Sequence, residues 1–197
     1  MLIAEFASSP LRIADHETAD APAAADLAKF SAPLDSTLTA ELEGAEWHLG
    51  IAAEEIIVAA LGLAIARTIG EGVVLVDVAG HSGPIPLSCT SAGLATATEM
   101  LGAVHRSLST GAAALKVAAQ PAAEIAFSYE GTALAHHHAL ELRAHRPDAL
   151  VQLDWWYDTR SFDAYTVEEL AEQLPLALIE LTSEASPQPN TPMAVGH

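Results

Sequence analysis

His81 is the residue of this sequence that is best placed to take part in chemistry. It lies in the string VDVAGHSGP, residues 76–84, directly after an apolar run that is typical of a buried strand. Glycines near it allow a ligand to approach the backbone, and an imidazole can act as a base near neutral pH. The alternative is that the flanking glycine, serine and proline residues form a tight turn with His81 at its rim. We therefore treat His81 as a candidate catalytic residue on a strand-end loop and keep the turn as the alternative.

Three adjacent histidines, residues 136–138 in the string AHHHAL, are a weaker candidate for metal binding. Successive residues of a strand point to opposite faces, so at most two of the three imidazoles converge. Metal sites usually draw their ligands from separated positions of the chain. We therefore interpret this segment as an exposed loop and predict no metal site.

The string DWWYD combines carboxylates with large aromatic side chains. Strand alternation puts Trp155 and Tyr157 on one face of a sheet and Asp154, Trp156 and Asp158 on the other. This pattern predicts core packing on the first face and a half-exposed Trp156 on the second. The two carboxylates stand too far apart on a strand to share a proton without help from neighbouring groups.

Cys89, in the string SCTSAG, is the single cysteine of the chain. No G-x-S-x-G nucleophile elbow surrounds it, so we interpret this segment as a polar loop. The sequence contains no phosphate-binding loop, no dinucleotide-binding glycine fingerprint and no paired zinc-ligand spacing, and it predicts no bound cofactor. One cysteine excludes an internal disulfide, which suits a reducing compartment, and we expect a cytoplasmic protein.

The charge of the chain argues against whole classes of partner. Its 197 residues carry eight Lys and Arg against 26 Asp and Glu, for a formal net charge of −18. This field repels nucleic-acid phosphates and anionic membrane surfaces. The most apolar stretch, residues 56–66, is too short to cross a bilayer. The N-terminal string MLIAEFASSPLRIADHE lacks the basic and apolar segments of a signal peptide.

The residues that could do chemistry are positioned by helices and strands that lie between two irregular ends. Residues 1–28 are rich in Ala, Asp and Pro and predict a flexible arm, and residues 185–197 predict a disordered tail. One domain is predicted over residues 29–184. Apolar residues at helical spacing predict helices over 34–50, 52–69, 94–108 and 166–182.

Short segments with β-branched residues or alternating polarity predict four strands. They are residues 73–78, 124–131, 139–146 and 149–158. The order is helix, helix, strand, helix, three strands and helix, which defines an α/β fold with a mixed sheet layered with helices. Pro175 lies inside the apolar stripe of the last helix and predicts a kink there.

Several strings, taken in order, resemble the C-terminal lobe of a nonribosomal peptide synthetase condensation-type domain, nearest the epimerization subtype. The string EEIIVAALGLAIARTIGEGVVLVDVAGHSGP is similar to the helix and strand that lead into that subtype's VDLEGHGRE motif. AEIAFSYEGT is similar to its AEVSFNYLGQ strand, and ALVQLDWWYDTRSFDAYTVEELAEQL is similar to its last strand and helix. The similarity covers about residues 30–184.

The resemblance implies a chloramphenicol-acetyltransferase-like half-domain. In the family, two lobes form a V with the active-site tunnel between them, and the substrates are thioesters on phosphopantetheinyl carrier domains. The catalytic motif HHxxxDG belongs to the N-terminal lobe and does not occur here. His81 matches the histidine of the epimerization motif. The glutamate before Gly-His, which is thought to take part in proton transfer, is replaced by Ala79.

These departures lead to competing expectations about function. The first is an auxiliary, non-catalytic lobe in nonribosomal peptide or acyl-thioester biosynthesis, which binds a partner lobe or a phosphopantetheine-linked intermediate on a carrier protein. The alternative is one half of a split or dimeric acyltransferase or epimerase-type enzyme, with His81, Tyr129 and Asp154 as candidate catalytic residues. A third is a small-molecule binding protein that kept the fold and lost the chemistry.

The same resemblance predicts that the chain associates. A lone lobe leaves bare the face that its partner lobe covers, and Trp156 has no evident partner within the chain. We expect a homodimer or a complex with a separate N-terminal-lobe chain.

Overall fold

The computed structural model describes residues 10–18, 20–91, 93–110, 123–130 and 138–185. Within these ranges the strands are Leu27–Pro33 (β1), Gly72–Val78 (β2), Ile85–Cys89 (β3), Ile125–Tyr129 (β4), Leu140–His145 (β5) and Gln152–Asp158 (β6). The helices are Ser36–Leu49 (α1), Ala53–Thr68 (α2), Ala97–Thr110 (α3) and Ala164–Glu184 (α4). The predicted α/β class with a mixed sheet is confirmed.

The six strands form one sheet in the order β1-β6-β5-β4-β2-β3. Strand β4 pairs in parallel with both β2 and β5, and the other neighbours are antiparallel. The carboxyl ends of β2, β4 and β5 therefore lie at one edge of the sheet. His81 follows β2 and Tyr129 ends β4, so the topology brings these two residues to the same edge.

One face of the sheet carries the core. Val76, Phe127, Leu142 and Trp155 are fully buried in one apolar cluster with the helices. Helix α2 lies at its centre and packs against α4, α3 and β3, which explains why it is apolar nearly all round. Gly62 lets α2 approach β3 closely, because a Cβ there would lie 2.8 Å from the carbonyl oxygen of Ser88.

The described helices include no single one that is long and apolar enough to cross a bilayer. Helices α1 and α2 together reach the necessary length and composition, but they are bent by 112° relative to each other. Residues 56–65 of α2 are buried inside the domain.

Strands β1 and β3 were not predicted, and both lie at edges of the sheet. Each contains a proline, Pro33 and Pro86, which is compatible with an edge strand because proline has no N–H to donate. The short string IPLSC and the alanine-rich string LAKFSAP carry little β-branched signal. Cys89 is consequently the last residue of a strand, and the interpretation of its segment as a polar loop is wrong at this residue.

Part of the predicted flexible arm packs against the domain. The backbone N–H of Leu11 donates to the carbonyl of Val73 at 2.8 Å, and Ile13 is buried in the core. Further along, the N–H of His16 donates to Ser161 O at 3.1 Å. The apolar pair Leu11 and Ile13 gives this segment a place on the domain. The predicted tail lies outside the described residues after 185.

Helices α3 and α4 match their predictions with shifted ends. Helix α3 begins after Thr96, whose hydroxyl accepts from Glu99 N at 3.3 Å while the Glu99 carboxylate accepts from Thr96 N at 2.9 Å. These reciprocal bonds satisfy free N–H groups at the start of the helix. Helix α4 contains Pro175 and runs on to Glu184.

Candidate functional site

His81 lies in the turn that joins the antiparallel strands β2 and β3. Its N–H donates to the carbonyl of Val78 at 3.1 Å. Gly80 and Gly83 have φ values of 84° and 85°, a left-handed conformation that favours glycine. The side chain of His81 is 29% exposed, so it is neither in the deep core nor freely solvated. The tight turn and the accessible imidazole therefore occur together.

Glu54 faces His81 from the first turn of α2. Its Oε2 lies 3.8 Å from His81 Nε2, which is ion-pair distance and longer than a hydrogen bond. Burial raises the pKa of Glu54, the imidazole acts in the opposite direction, and the neighbouring Glu55 raises it further. The site thus combines an imidazole with a carboxyl group that holds its proton more tightly than usual.

Glu54 is the site residue that sequence reasoning missed. The contact joins two segments that are far apart in sequence, and the epimerization-type motif directs attention to position 79, which is alanine. The available signal was the pair of adjacent glutamates at the predicted start of α2, where the helix dipole favours negative charge.

The N-terminus of α2 is closed by further carboxylates. Glu55 Oε2 accepts from Ala52 N at 3.3 Å, and Glu46 Oε1 accepts from Ala53 N at 3.3 Å. His105 of α3 places Nδ1 3.0 Å from Glu55 Oε1. A second imidazole–carboxylate pair therefore stands beside the His81–Glu54 pair.

Tyr129 ends β4 at the same edge of the sheet. Burial raises the pKa of its phenol, and the positive charge of Arg146 opposes this change. Arg146 is itself paired with Glu43 of α1. Tyr129 is therefore set in a half-buried polar environment between the end of the sheet and α1.

Asp154 does not join this group. It points away from the core, to the opposite face of the sheet, where Ser31 donates to Oδ1 at 2.7 Å and Lys29 lies 2.8 Å from Oδ2. Burial opposes its ionisation, but the hydrogen bonds from Lys29 and Ser31 outweigh burial and lower its pKa. The structure brings His81 and Tyr129 to one edge and places Asp154 elsewhere.

Trp156 lies on the same outer face and has partners within the chain. Lys29 Nζ is 5.5 Å from its ring centroid and the guanidinium of Arg143 is 5.3 Å from it. Arg143 also makes two hydrogen bonds to Glu141, at 2.7 and 2.9 Å. The expectation that Trp156 has no internal partner is wrong, because cation–π contacts hold it on both sides.

Of the three adjacent histidines, residues 136 and 137 lie outside the described residues. His138 Nε2 is 2.6 Å from Asp77 Oδ2, a short contact between the start of β5 and the outer face of β2. In the described part of the chain no group of three or more His, Cys, Asp or Glu residues is arranged to hold a metal ion.

Three cavities accompany these features. The largest, about 530 Å³, lies between residues 12–22 and the sheet edge near Glu124. A groove of about 350 Å³ separates α1 from α4, and a smaller cavity of about 120 Å³ lies between α2, α3 and β3. His81, Tyr129 and Asp154 line none of these three.

Comparison with known proteins relates this architecture to biosynthetic megasynthases. No protein-family model matches the chain. A phenolphthiocerol/phthiocerol polyketide synthase component, found in Mycobacterium tuberculosis and in Mycobacterium bovis, is 31% identical over 227 residues, which cover 85% of this chain. The chain spans only 15% of that relative's length.

Solved structures share the fold at low sequence identity. The epimerization domain from the third module of tyrocidine synthetase B superimposes with a TM-score of 0.67 at 15% identity, over 91% of this chain and 53% of that one. The X-domain in complex with OxyB from teicoplanin biosynthesis gives 0.66 at 15% identity, over 91% and 50%. The first condensation domain of the CDA synthetase gives 0.62 at 15% identity, over 87% and 48%.

The chain therefore has the fold of one lobe of a condensation-type domain, since it covers about half of each of these three chains. Its ordered sequence similarities identify this half. The resemblance to the C-terminal lobe of condensation and epimerization domains is confirmed at the level of the fold.

Proposed function

We propose that the chain is an auxiliary condensation-type lobe of nonribosomal peptide or polyketide biosynthesis, which acts by binding and not by turnover of its own. The observation that carries this proposal is its extent. The superposition spans 91% of the chain but only 53% of a complete epimerization domain. The family's tunnel lies between two lobes, and HHxxxDG does not occur in this sequence.

The partner is a separate N-terminal lobe or an intermediate linked through phosphopantetheine to a carrier protein. A fold of this class is also seen in a complex of the X-domain with OxyB, which supports protein binding as a role for such lobes. A second copy of the chain is the alternative partner, although each copy carries a net charge of −18.

Catalysis by the isolated chain is tested with a peptidyl thioester on a carrier protein. Exchange of the α-proton with deuterated water and formation of an amide product are followed by mass spectrometry. We expect no more product than with the His81→Ala variant, whose reactive imidazole is gone. Turnover clearly above that control would overturn the proposal.

Binding is tested by light scattering at moderate salt. The chain is measured alone and after mixing with the N-terminal lobe of a condensation-type domain produced as a separate chain. A one-to-one complex supports the proposal, and a dimer of the chain alone selects the second copy as partner. A monomer in both measurements, with no binding of the carrier-linked thioester, would contradict it.

The His81–Glu54 pair supports one half of a split epimerase-type enzyme as the second candidate function. His81 would remove the α-proton of a thioester to leave an enolate, and protonated Glu54 would return a proton to that carbon. In this case, exchange should appear only when the N-terminal lobe is added. It should be lost in both His81→Ala and Glu54→Gln.

A further inference from the structure

Trp47 is the most exposed large apolar residue of the described chain. It lies on α1 with 91% of its surface open to solvent. The buried face of the same helix is formed by Leu38, Leu42 and Leu49, so Trp47 contributes nothing to the core. Large aromatic side chains in such positions are enriched in protein–protein interfaces, where they act as anchors.

A groove runs beside this tryptophan. It has a volume of about 350 Å³ and is lined by Gly44 and His48 of α1 and by Ile179 and Thr182 of α4. Gly44 leaves its floor open, because a Cβ at this position would meet no atom within 4 Å. Trp47 stands one helical turn from Gly44, so its ring borders the groove.

The opposite wall of the groove is also apolar. Ile179 is exposed on α4, and the exposed Leu176 lies one helical turn before it. Together, Trp47, Leu176 and Ile179 form an apolar surface on two neighbouring helices that contact each other. A groove between two packed helices is a shape that accepts a third, amphipathic helix.

The rim of this surface is acidic. Glu41 lines the groove, and Glu172 and Glu184 are exposed on α4 on either side of the apolar residues. The arginines nearest to the rim are engaged, since Arg67 is paired with Glu180 and Arg146 with Glu43. An occupant with Lys or Arg beside its apolar stripe would match this charge, whereas a second copy would bring further negative charge.

We propose that the α1–α4 groove is a docking site for a basic amphipathic helix of a partner protein. Leucine-like side chains of that helix pack against Trp47, Leu176 and Ile179, and its basic residues face the acidic rim. The groove is remote in sequence from His81, so this site does not depend on whether the His81–Glu54 pair is active.

The probe is a synthetic helix of about 14 residues, with leucines at helical spacing, lysines elsewhere and no tryptophan. It is titrated into the full chain at about 0.15 M salt, where long-range attraction is screened. Tryptophan emission reports binding, because Trp155 is fully buried and Trp47 is the ring that changes environment. We expect a blue shift that saturates.

Trp47→Glu separates apolar anchoring from charge attraction, because it adds an acidic group while it removes the anchor. Its matched control is Leu94→Glu, which adds the same charge at another exposed apolar residue. Fluorescence anisotropy of a labelled peptide measures both variants. We expect Trp47→Glu to weaken binding at least about tenfold and Leu94→Glu to change it less than about twofold.

A second variant, Gly44→Phe, fills the groove without a clash inside the chain and should weaken the peptide as Trp47→Glu does. The proposal is overturned if Trp47→Glu and Leu94→Glu bind the lysine peptide equally well. It is also overturned if a peptide with glutamate in place of lysine binds as tightly. A Trp47-dependent dimer in light scattering would assign the groove to a second copy and reject the basic partner.

Discussion

Glu54 Oε2 lies 3.8 Å from His81 Nε2 and joins the first turn of α2 to the turn after β2. The epimerization-type motif carries a glutamate two residues before its histidine, and this chain has Ala79 there. A carboxyl group is thus present beside the imidazole in space although it is absent from the motif in sequence.

Glu54→Gln should change how stability depends on pH. Burial raises the pKa of Glu54 in the folded chain above 4.5, so the folded state binds this proton more tightly than the unfolded state. Its contribution to stability is present at low pH and is lost as pH rises through the folded pKa. We expect Glu54→Gln to gain up to about 1 kcal/mol relative to wild type between about pH 4 and pH 7.

Urea unfolding at the two pH values measures this gain. His81→Ala is the companion variant, because it removes the imidazole that lowers the pKa of Glu54. It should itself lower the free energy of unfolding by less than about 1 kcal/mol, as expected for a partly exposed side chain. A difference between Glu54→Gln and wild type that is the same at both pH values would argue against the raised pKa.

The sequence predicted the central strands and the helices because their apolar periodicity is strong. The edge strands β1 and β3 escaped, since tertiary pairing and not propensity makes strands of LAKFSAP and IPLSC. One miss caused another. Lys29 of the unpredicted β1 lies opposite Trp156 in the sheet register, so the cation that covers this ring could not be foreseen.

The candidate site was predicted only in part, for the same physical reason. The strand-end position of His81 follows from local sequence, and the shared edge of His81 and Tyr129 follows from parallel pairing of β2 and β4. The contact between His81 and Glu54 depends on how α2 packs. Local patterns do not contain that information.

Cys89 should be inert toward thiol reagents in the folded chain. Burial raises the pKa of its thiol to about 12, and a backbone hydrogen bond only partly opposes this change. The thiolate is the reactive form, and its population at neutral pH is therefore very small. We expect a disulfide reagent such as DTNB to label Cys89 only at the rate of unfolding, and fully in urea. Rapid labelling of the folded chain would contradict its burial at the end of β3.

Asp158→Asn should destabilise the chain by about 2–3 kcal/mol. The Asp158 carboxylate is buried and accepts from Arg160 Nε at 3.0 Å, from Arg160 Nη2 at 2.9 Å and from Ser161 Oγ at 3.2 Å. Burial opposes its ionisation, but the bonds from Arg160 lower its pKa below 3.8.

The stability that Asp158 contributes is therefore present above pH 3.8 and is lost as pH falls through the folded pKa. Urea unfolding should show that Asp158→Asn loses less stability on acidification than wild type does. Ser161→Ala is the control, which removes one hydrogen bond and should cost about 1 kcal/mol. If Asp158→Asn and Ser161→Ala cost the same, the ion pair with Arg160 contributes little.

Two helical glycines should respond to alanine with opposite signs. Gly62→Ala brings a Cβ to 2.8 Å from Ser88 O and 3.2 Å from Leu87 Cδ1, so β3 must shift away from α2. Gly44→Ala meets no atom within 4 Å. Both gain the helix propensity of alanine, about 1 kcal/mol. We expect Gly44→Ala to gain up to that amount and Gly62→Ala to lose about 1–2 kcal/mol, because overpacking exceeds the gain. Thermal and urea unfolding of the two variants decide the matter, since their difference isolates the contact between α2 and β3. Equal stabilisation of both would show that these elements do not pack as closely as described.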